Sequence, residues 1–319
     1  MLACKLIPKT SFHFGVREGW MEGTEILLHS DTLFSAFLNS YLLLYGEEKL
    51  RLLIEKFLKG SPPFLFSSAF PFFGKEFFFP VPKNFFPREK DLKKARLIGK
   101  AEFENWLGGK EGLMEAEKPE NLTIIPPASE EQNSPFVVQK IPHVSLNYLH
   151  YSSQLFHSSN LFFREGGGLF FLIDLKDPNF KAQVFGVFRF MGDEGIGGDR
   201  SSGCGGFKAE FVENFQLDTP KNPDAVCLLS LCFPGENDDQ ALLNGYYDLI
   251  ERKGYVFSPF QKTLRKRSVR MFREGSVFKG NALKGTFLEV TPKGVKAPHS
   301  VFRNGLAFTV PCVWREYES

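Results

Sequence analysis

The chain has 319 residues, room for two domains of ordinary size, with 43% hydrophobic and 24% charged residues, which excludes a disordered chain. Lysine and arginine (39) nearly balance aspartate and glutamate (37), so no overall field points to nucleic acid, and any basic face must come from local segregation. No apolar run approaches the ~20 residues of a membrane span, and the stretch from Met1 to Thr10 lacks a signal-peptide core and cleavage site. Five irregularly spaced cysteines (Cys4, Cys204, Cys227, Cys232, Cys312) suit reduced thiols and a cytoplasmic setting.

In chain order, Leu2 to Phe14 reads as a strand with a polar end. Ser30 is the expected N-cap of a helix, with Asp31 in its positive first turn and Phe34, Phe37, Leu38, Tyr41, Leu42 and Tyr45 at helical spacing. Gly46 marks its stop, and a second helix carries Leu50, Leu53, Ile54, Phe57 and Leu58 up to Gly60. From Ser61 onward, to about 135–140, no sustained period survives apart from a short helix over Ala101 to Leu107, so this stretch is expected as an irregular insertion. Its share of the 37 phenylalanines is expected in core or protein contacts rather than base stacking. Leu161–Phe163 and Leu169–Leu175 flank Gly166-Gly167-Gly168 as a hairpin would. Asp177-Pro178 then opens a helix with the stripe Phe180, Val184, Val187, Phe188 and Met191, and a strand runs from Lys208 to Leu217.

Without the insertion the order is β-α-β-β-α-β, the ferredoxin-like (RRM-like) arrangement, over residues 1–220. Residues 221–319 form a second, smaller unit. It starts with a strand over Val226–Phe233, followed by a helix with Leu243, Tyr246, Tyr247 and Ile250 that stops at Gly254. Strands near Val269, Phe287 and Leu306 complete it. The fold class is α+β.

Between the last helix and last strand of the first unit lies Gly195 to Gly206, with six glycines. Such a loop brings amides close to an anion, and Arg200, Ser201 and Ser202 add side-chain donors. Neither the dinucleotide fingerprint nor a Walker A loop fits the spacing, and the loop follows a helix and precedes a strand, the reverse of both. Lys262, Arg265, Lys266, Arg267, Arg270 and Arg273 fall together without an acid; on a strand, Val269 and Met271 face the core while Lys266, Ser268 and Arg270 face out. That is either a phosphate track or a solvated charge run. His143, His150 and His157 recur every seventh residue, which on strands alternates faces and makes no metal site.

The glycine-rich loop in this position resembles that of the RAMP proteins of CRISPR systems. His29-Ser30-Asp31-Thr32-Leu33-Phe34-Ser35-Ala36 resembles the helix-opening segment of subunit four of the Csm complex. Pro142-His143-Val144-Ser145-Leu146-Asn147, with the run Ser152 to Phe163 after it, resembles that family's central segment, and Arg270 to Ser276 its C-terminal one. The chain departs from the pattern at Ile141, where a basic residue often stands (Lys140 is one earlier), and at Asn147-Tyr148, in place of an Asp-Arg pair.

The resemblance implies two ferredoxin-like RAMP domains in a non-catalytic, crRNA-binding subunit of a type III-A effector complex, with no metal and no cofactor. It holds the 5′ tag of the guide and contacts the large Palm-domain subunit and a backbone RAMP subunit. Implied RNA contacts are Gly197, Gly198, Asp199, Arg200, Ser201, Ser202, Gly203, Gly205 and Lys208 at the loop, and Lys140, His143, Ser145 and Asn147 in the central segment. Ser30 and Thr32 at the first helix and Lys266, Arg270 and Arg273 complete the set. The alternative is a RAMP endoribonuclease that processes repeat RNA, recruiting His13, His29, His143, Tyr148 and Lys140 as acid and base. A protein-only scaffold is disfavoured by the loop and the basic segment.

Overall fold

The structure is a computed structural model, and it describes residues 1–17, 20–85, 95–110, 135–147, 152–236, 238, 244–256, 264–280, 283–292, 294 and 299–316. β1 (Leu2–Pro8) leads through a short hairpin, β2 (Gly15–Arg17) and β3 (Trp20–Thr24), into α1 (Ser30–Leu58). α1 is one helix with a break inside it, where Gly46 takes φ 81°, ψ 172°, at the expected stop. The N-cap is His29, not Ser30. The His29 carbonyl accepts from the amides of Thr32 and Leu33, while the Ser30 hydroxyl is committed elsewhere, to the amide of Leu231.

The stretch expected as an irregular insertion supplies β4 (Phe64–Phe66), β5 (Phe70–Phe73), β6 (Glu76–Pro80), β7 (Leu97–Gly99) and α2 (Lys100–Leu107). All four strands join the main antiparallel sheet with β10 (Gly167–Leu175) and β11 (Phe207–Val212). Among the described residues its order is β11-β1-β10-β5-β6-β7, with β4 also paired to β10. Alternation is weak here because these strands lie deep in the protein, so apolar residues occupy both faces and no period shows. Phe64, Phe66, Phe70, Phe72, Phe78 and Phe79 are buried core.

α3 (Lys181–Glu194) buries Val184, Val187, Phe188 and Met191 of the stripe read from the sequence, while Phe180 falls in the 3₁₀ turn before it, which Asp177 caps by accepting from the amide of Asn179. α1 and α3 pack on the sheet through rings: Phe37 lies 5.2 Å from Phe64, 5.3 Å from Phe66 and 5.5 Å from Phe188. Each such side chain contributes roughly 1.5–3 kcal/mol on burial.

β8 (Phe136–Asn147) and β9 (Ser152–Phe163) pair along their full length as a two-stranded arm. Its foot is tied to the body by the bridge Phe12↔Leu161, and its outer part exposes Val144, Leu146 and Leu155. The hairpin expected between Leu161–Phe163 and Leu169–Leu175 does not form. A turn is there, with Gly166 at φ 82°, but β9 pairs with β8 and β10 with β1, β4 and β5.

The second half contains β12 (Ala225–Leu228), β13 (Gly245–Tyr246), β14 (Leu249–Arg252), β15 (Val269–Phe272), β16 (Val277–Lys279), β17 (Gly285–Glu289), β18 (Phe302–Leu306) and β19 (Thr309–Cys312). The helix expected over Leu243 to Gly254 is corrected: Leu243 lies outside the described residues, and β13 and β14 occupy the rest. Tyr and Ile suit strands as well as helices, and pairing of β14 with β15 decides for strand. Ala225, Cys227, Leu229, Val277 and Phe308 belong to the same apolar cluster as α1 and the main sheet, so the two halves share the largest core, and two smaller clusters lie within the second half.

Candidate nucleic-acid interface

The start of α1, the glycine loop and the C-terminal strands meet around a cleft of about 350 Å³, lined among others by His13, Thr32, Gly197, Gly198, Arg200 and Lys266. Its charged lining is five cations (Arg200, Arg252, Lys253, Lys266, Arg303) against three carboxylates (Glu25, Asp31, Glu194). Asp31 is buried at the foot of α1 and holds two of these cations. Arg252 donates from Nε and Nη2 to its two oxygens, 3.0 Å each, and Arg303 donates from Nη1. Burial alone would raise the Asp31 pKa, but the two guanidiniums hold the carboxyl well below the usual range. Arg252 also donates to Thr32 Oγ1, 2.9 Å. Lys266 is half-buried, and burial followed by repulsion from Arg303 brings its pKa down to about 8. An anion entering the cleft relieves that repulsion.

Beside this cluster His29 and Glu274 form a second buried pair, Nδ1 to Oε1 at 2.8 Å, with the Ser68 hydroxyl donating to the same oxygen. Burial opposes ionisation of Glu274, but His29 and Ser68 outweigh it and lower its pKa.

The loop folds on its own backbone. Gly198 N donates to His13 O at 2.8 Å, Gly205 N to Ser11 O at 2.7 Å, Ile196 N to Gly205 O at 2.9 Å, and Gly203 N to Arg200 O at 3.0 Å. A Cβ on Gly205 would stand 2.2 Å from Ile196 O, and one on Gly197 2.5 Å from His13 O, so both glycines are demanded by packing. Asp199 is left-handed at φ 54°, and Arg200–Ser202 make one 3₁₀ turn whose residues are exposed.

Comparison with known proteins shows what the chain resembles. Residues 221–312 match the family model of the CRISPR Csm4 C-terminal domain. Two relatives named "CRISPR system Cms protein Csm4" extend the likeness to the full length. The one from Thermococcus onnurineus is 27% identical over 96% of this chain and 95% of its own, and the one from Methanocaldococcus jannaschii is 26% identical over 98% and 97%. Over its whole length the chain is similar to Csm4 proteins. Solved structures with this fold include a chain of a Csm3–Csm4 subcomplex of the type III-A CRISPR-Cas interference complex (TM-score 0.68, 22% identity, 98% of this chain and 99% of that one). A chain of a Csm1–Csm4 cassette in complex with cA4 gives TM-score 0.65 at 23% identity, over 99% of each chain.

In this Csm4-like chain the residues read from the sequence fall into three groups. Thr32, Gly197, Gly198, Arg200 and Lys266 line the one cleft, with Asp199, Ser201, Ser202 and Gly203 on the same loop. Lys140, His143 and Ser145 ride on the arm. His143 stacks on Phe156 (5.2 Å, 17°) and its Nε2 is 2.8 Å from Ser158 Oγ, while Lys140 lies 3.5 Å from Glu22. Asn147 ends β8; Tyr148, His150 and Lys262 lie outside the described residues.

The remaining residues sit elsewhere. Ser30 is 1% exposed and ties α1 to Leu231, so it cannot face a ligand. Gly205 is buried beneath the loop with its amide spent on Ser11, which removes it as a phosphate contact. The amides of Gly198 and Gly203 are likewise spent, on His13 O and on Arg200 O of the same turn. Lys208 pairs with Glu210 on β11. Lys266, Ser268 and Arg270 do not share a face: Lys266 precedes β15 and turns into the cleft, Ser268 donates to Glu251, and Arg270 sits across from Glu251. Arg273 is 3.8 Å from Glu25. Sequence reading missed Arg252, Arg303 and Glu274, and took Asp31 only as a helix-dipole residue. Arg252 and Arg303 stand 221 and 272 residues from Asp31, so no spacing signal links them.

Proposed function

We propose that this chain is a non-catalytic crRNA-binding subunit of a type III-A CRISPR effector complex that grips the 5′ tag of the guide RNA in the cleft between its two halves. The observation that carries the reading is the surplus of cations in that cleft, where Lys266 makes no ion pair among the described residues. Phosphates supply the missing charge, and each contact releases counterions. The exposed turn Arg200–Ser202 with Gly203 is the outer lip, and His143 stacked on Phe156, with Ser145 and Asn147 beyond, offers contacts to displaced bases.

By likeness to the Csm1–Csm4 and Csm3–Csm4 assemblies, the chain bridges the large Palm-domain subunit and a backbone RAMP subunit. The strand order β11-β1-β10-β4, with α1 and α3 as the two connecting helices, supports a ferredoxin-like first domain over residues 1–220, with 221–319 as the second. Five free cysteines suit a reducing, cytoplasmic setting.

Of the residues the processing-enzyme alternative would draw on, His13 and His29 share the cleft. His29, however, is 4% exposed, bound to Glu274 through Nδ1, and its Nε2 is sealed from solvent. A metal-free cleavage needs both a base for the 2′-hydroxyl and an acid for the leaving oxygen.

The test is binding of the purified chain to tag RNA across a salt series, with sequencing of the 5′ ends of co-purified RNA. Salt-sensitive binding of intact RNA sharing one 5′ sequence is expected. Cleavage at a single repeat position, abolished by His13→Ala or His143→Ala, would overturn the non-catalytic reading.

A further inference from the structure

His13 belongs to the segment between β1 and β2 and is 7% exposed. Its Nδ1 lies 2.7 Å from the carbonyl oxygen of Ser159 at the foot of the arm. A carbonyl only accepts, so Nδ1 carries the proton, and Nε2 of the neutral ring is left as an acceptor. Nε2 has no hydrogen-bond partner among the described residues. The adjoining Cδ2 edge lies against the glycine loop, where a Cβ on Gly198 would stand 2.7 Å from it. The Gly198 amide donates back to the His13 carbonyl at 2.8 Å, so loop and ring hold each other in place on the wall of the cleft.

An oriented, almost buried acceptor is out of character with its neighbours Arg200, Lys266 and Arg303. A lone pair repels phosphate oxygens, so His13 adds nothing to a site that sees phosphate alone. It suits a ligand that carries a donor beside each phosphate. The ribose 2′-hydroxyl is that donor, present in RNA and absent from DNA.

Building on the guide-RNA reading, we propose that His13 Nε2 accepts a hydrogen bond from a ribose 2′-hydroxyl in the cleft and thereby makes this site select RNA over DNA. The contact is a ground-state one, and the bound RNA stays intact.

The experiment uses the full chain and three single-stranded oligonucleotides of the host's repeat-derived tag sequence, with ribose, 2′-deoxy or 2′-fluoro sugars, titrated at one salt concentration. The 2′-fluoro sugar keeps the RNA-like pucker but cannot donate. Wild type is expected to bind the ribose oligonucleotide roughly three- to tenfold more tightly than either other, the range of one hydrogen bond. His13→Asn places an amide nitrogen where Nδ1 meets Ser159 and removes Nε2; it should bind all three equally, at the affinity wild type has for DNA, with an unchanged melting temperature.

Three results would overturn the inference: 2′-fluoro binding as tightly as ribose, a sugar preference surviving in His13→Asn, or His13→Asn weakening all three in parallel. Should His13→Asn unfold, a scan of single 2′-deoxy substitutions on wild type decides. Loss concentrated at one nucleotide supports the contact, and loss spread evenly along the tag overturns it. Failure of wild type to bind any of the three sinks the guide-binding reading itself, a result distinct from binding without sugar preference.

Discussion

Lys266 shows how one residue's surroundings decide its use. In the basic run from Lys262 to Arg273 it looks like any other cation. In the fold, burial and Arg303 bring its pKa to about 8, so near neutrality it is charged but poorly compensated. A bound phosphate favours the ammonium and raises that pKa, so protons and RNA bind together. Affinity should therefore fall as pH rises through 8 toward 9, by roughly three- to tenfold if binding lifts the pKa by about a unit. Lys266→Arg should flatten the profile, and titrations at pH 7 and 9 at fixed salt check both. Arg200, exposed on the 3₁₀ turn, is the complementary case. Arg200→Ala should cost ~1–3 kcal/mol of RNA binding, the worth of a charge-assisted contact. The melting temperature should stay put, and its fall with affinity unchanged would make Arg200 structural.

At the scale of elements, the glycine loop was legible as a loop that needs glycine, but not which glycine serves what. Composition cannot tell a residue that must lack a Cβ because backbone lies against it from one that only turns the chain. Gly205 is the first kind, since a Cβ there would meet Ile196 O at 2.2 Å; Gly203 is the second, at φ 88° with nothing within 4 Å. Gly205→Ala should unfold the loop and lower both melting temperature and RNA affinity. Gly203→Ala should cost only about 1–2 kcal/mol, from the left-handed backbone. Thermal melts and binding curves on the two variants separate the roles. The C-terminal elements were misread for a related reason: Tyr246, Tyr247 and Ile250 satisfy helical spacing, but the cross-strand partner that holds β14 extended lies some twenty residues on, at β15.

Over the whole molecule, the two halves are joined by shared apolar core and by two buried polar knots, Asp31–Arg252–Arg303 and His29–Glu274–Ser68. Removing one partner of such a knot strands buried charge, so Asp31→Asn should cost about 3–5 kcal/mol of stability. Thermal unfolding of wild type should show a single transition, since the largest apolar cluster and both polar knots span the two halves. The sign of the pH effect follows from the depressed carboxyls. Their stabilisation is complete above the ordinary values of 3.8 for Asp31 and 4.5 for Glu274, and is lost as pH falls below these toward the folded-state values. Stability curves between pH 6 and pH 2 should therefore drop more gently in Asp31→Asn than in wild type.

What the amino-acid order determined by itself is local. The break of α1 at Gly46, the stripe of α3, the Asp177 cap and the glycine-rich loop all depend on neighbours within a turn or two, where spacing and backbone preference act directly. Its motifs, in their order, also carried the resemblance to the family. Tertiary structure alone decided that Phe-rich strands without a period would complete the main sheet, and that the arm would pair with itself. It also decided that Asp31 would gather Arg252 and Arg303 from the far end of the chain. Those choices turn on burial and on charge compensation between groups more than two hundred residues apart, and neither leaves a mark in the spacing of residues along the chain.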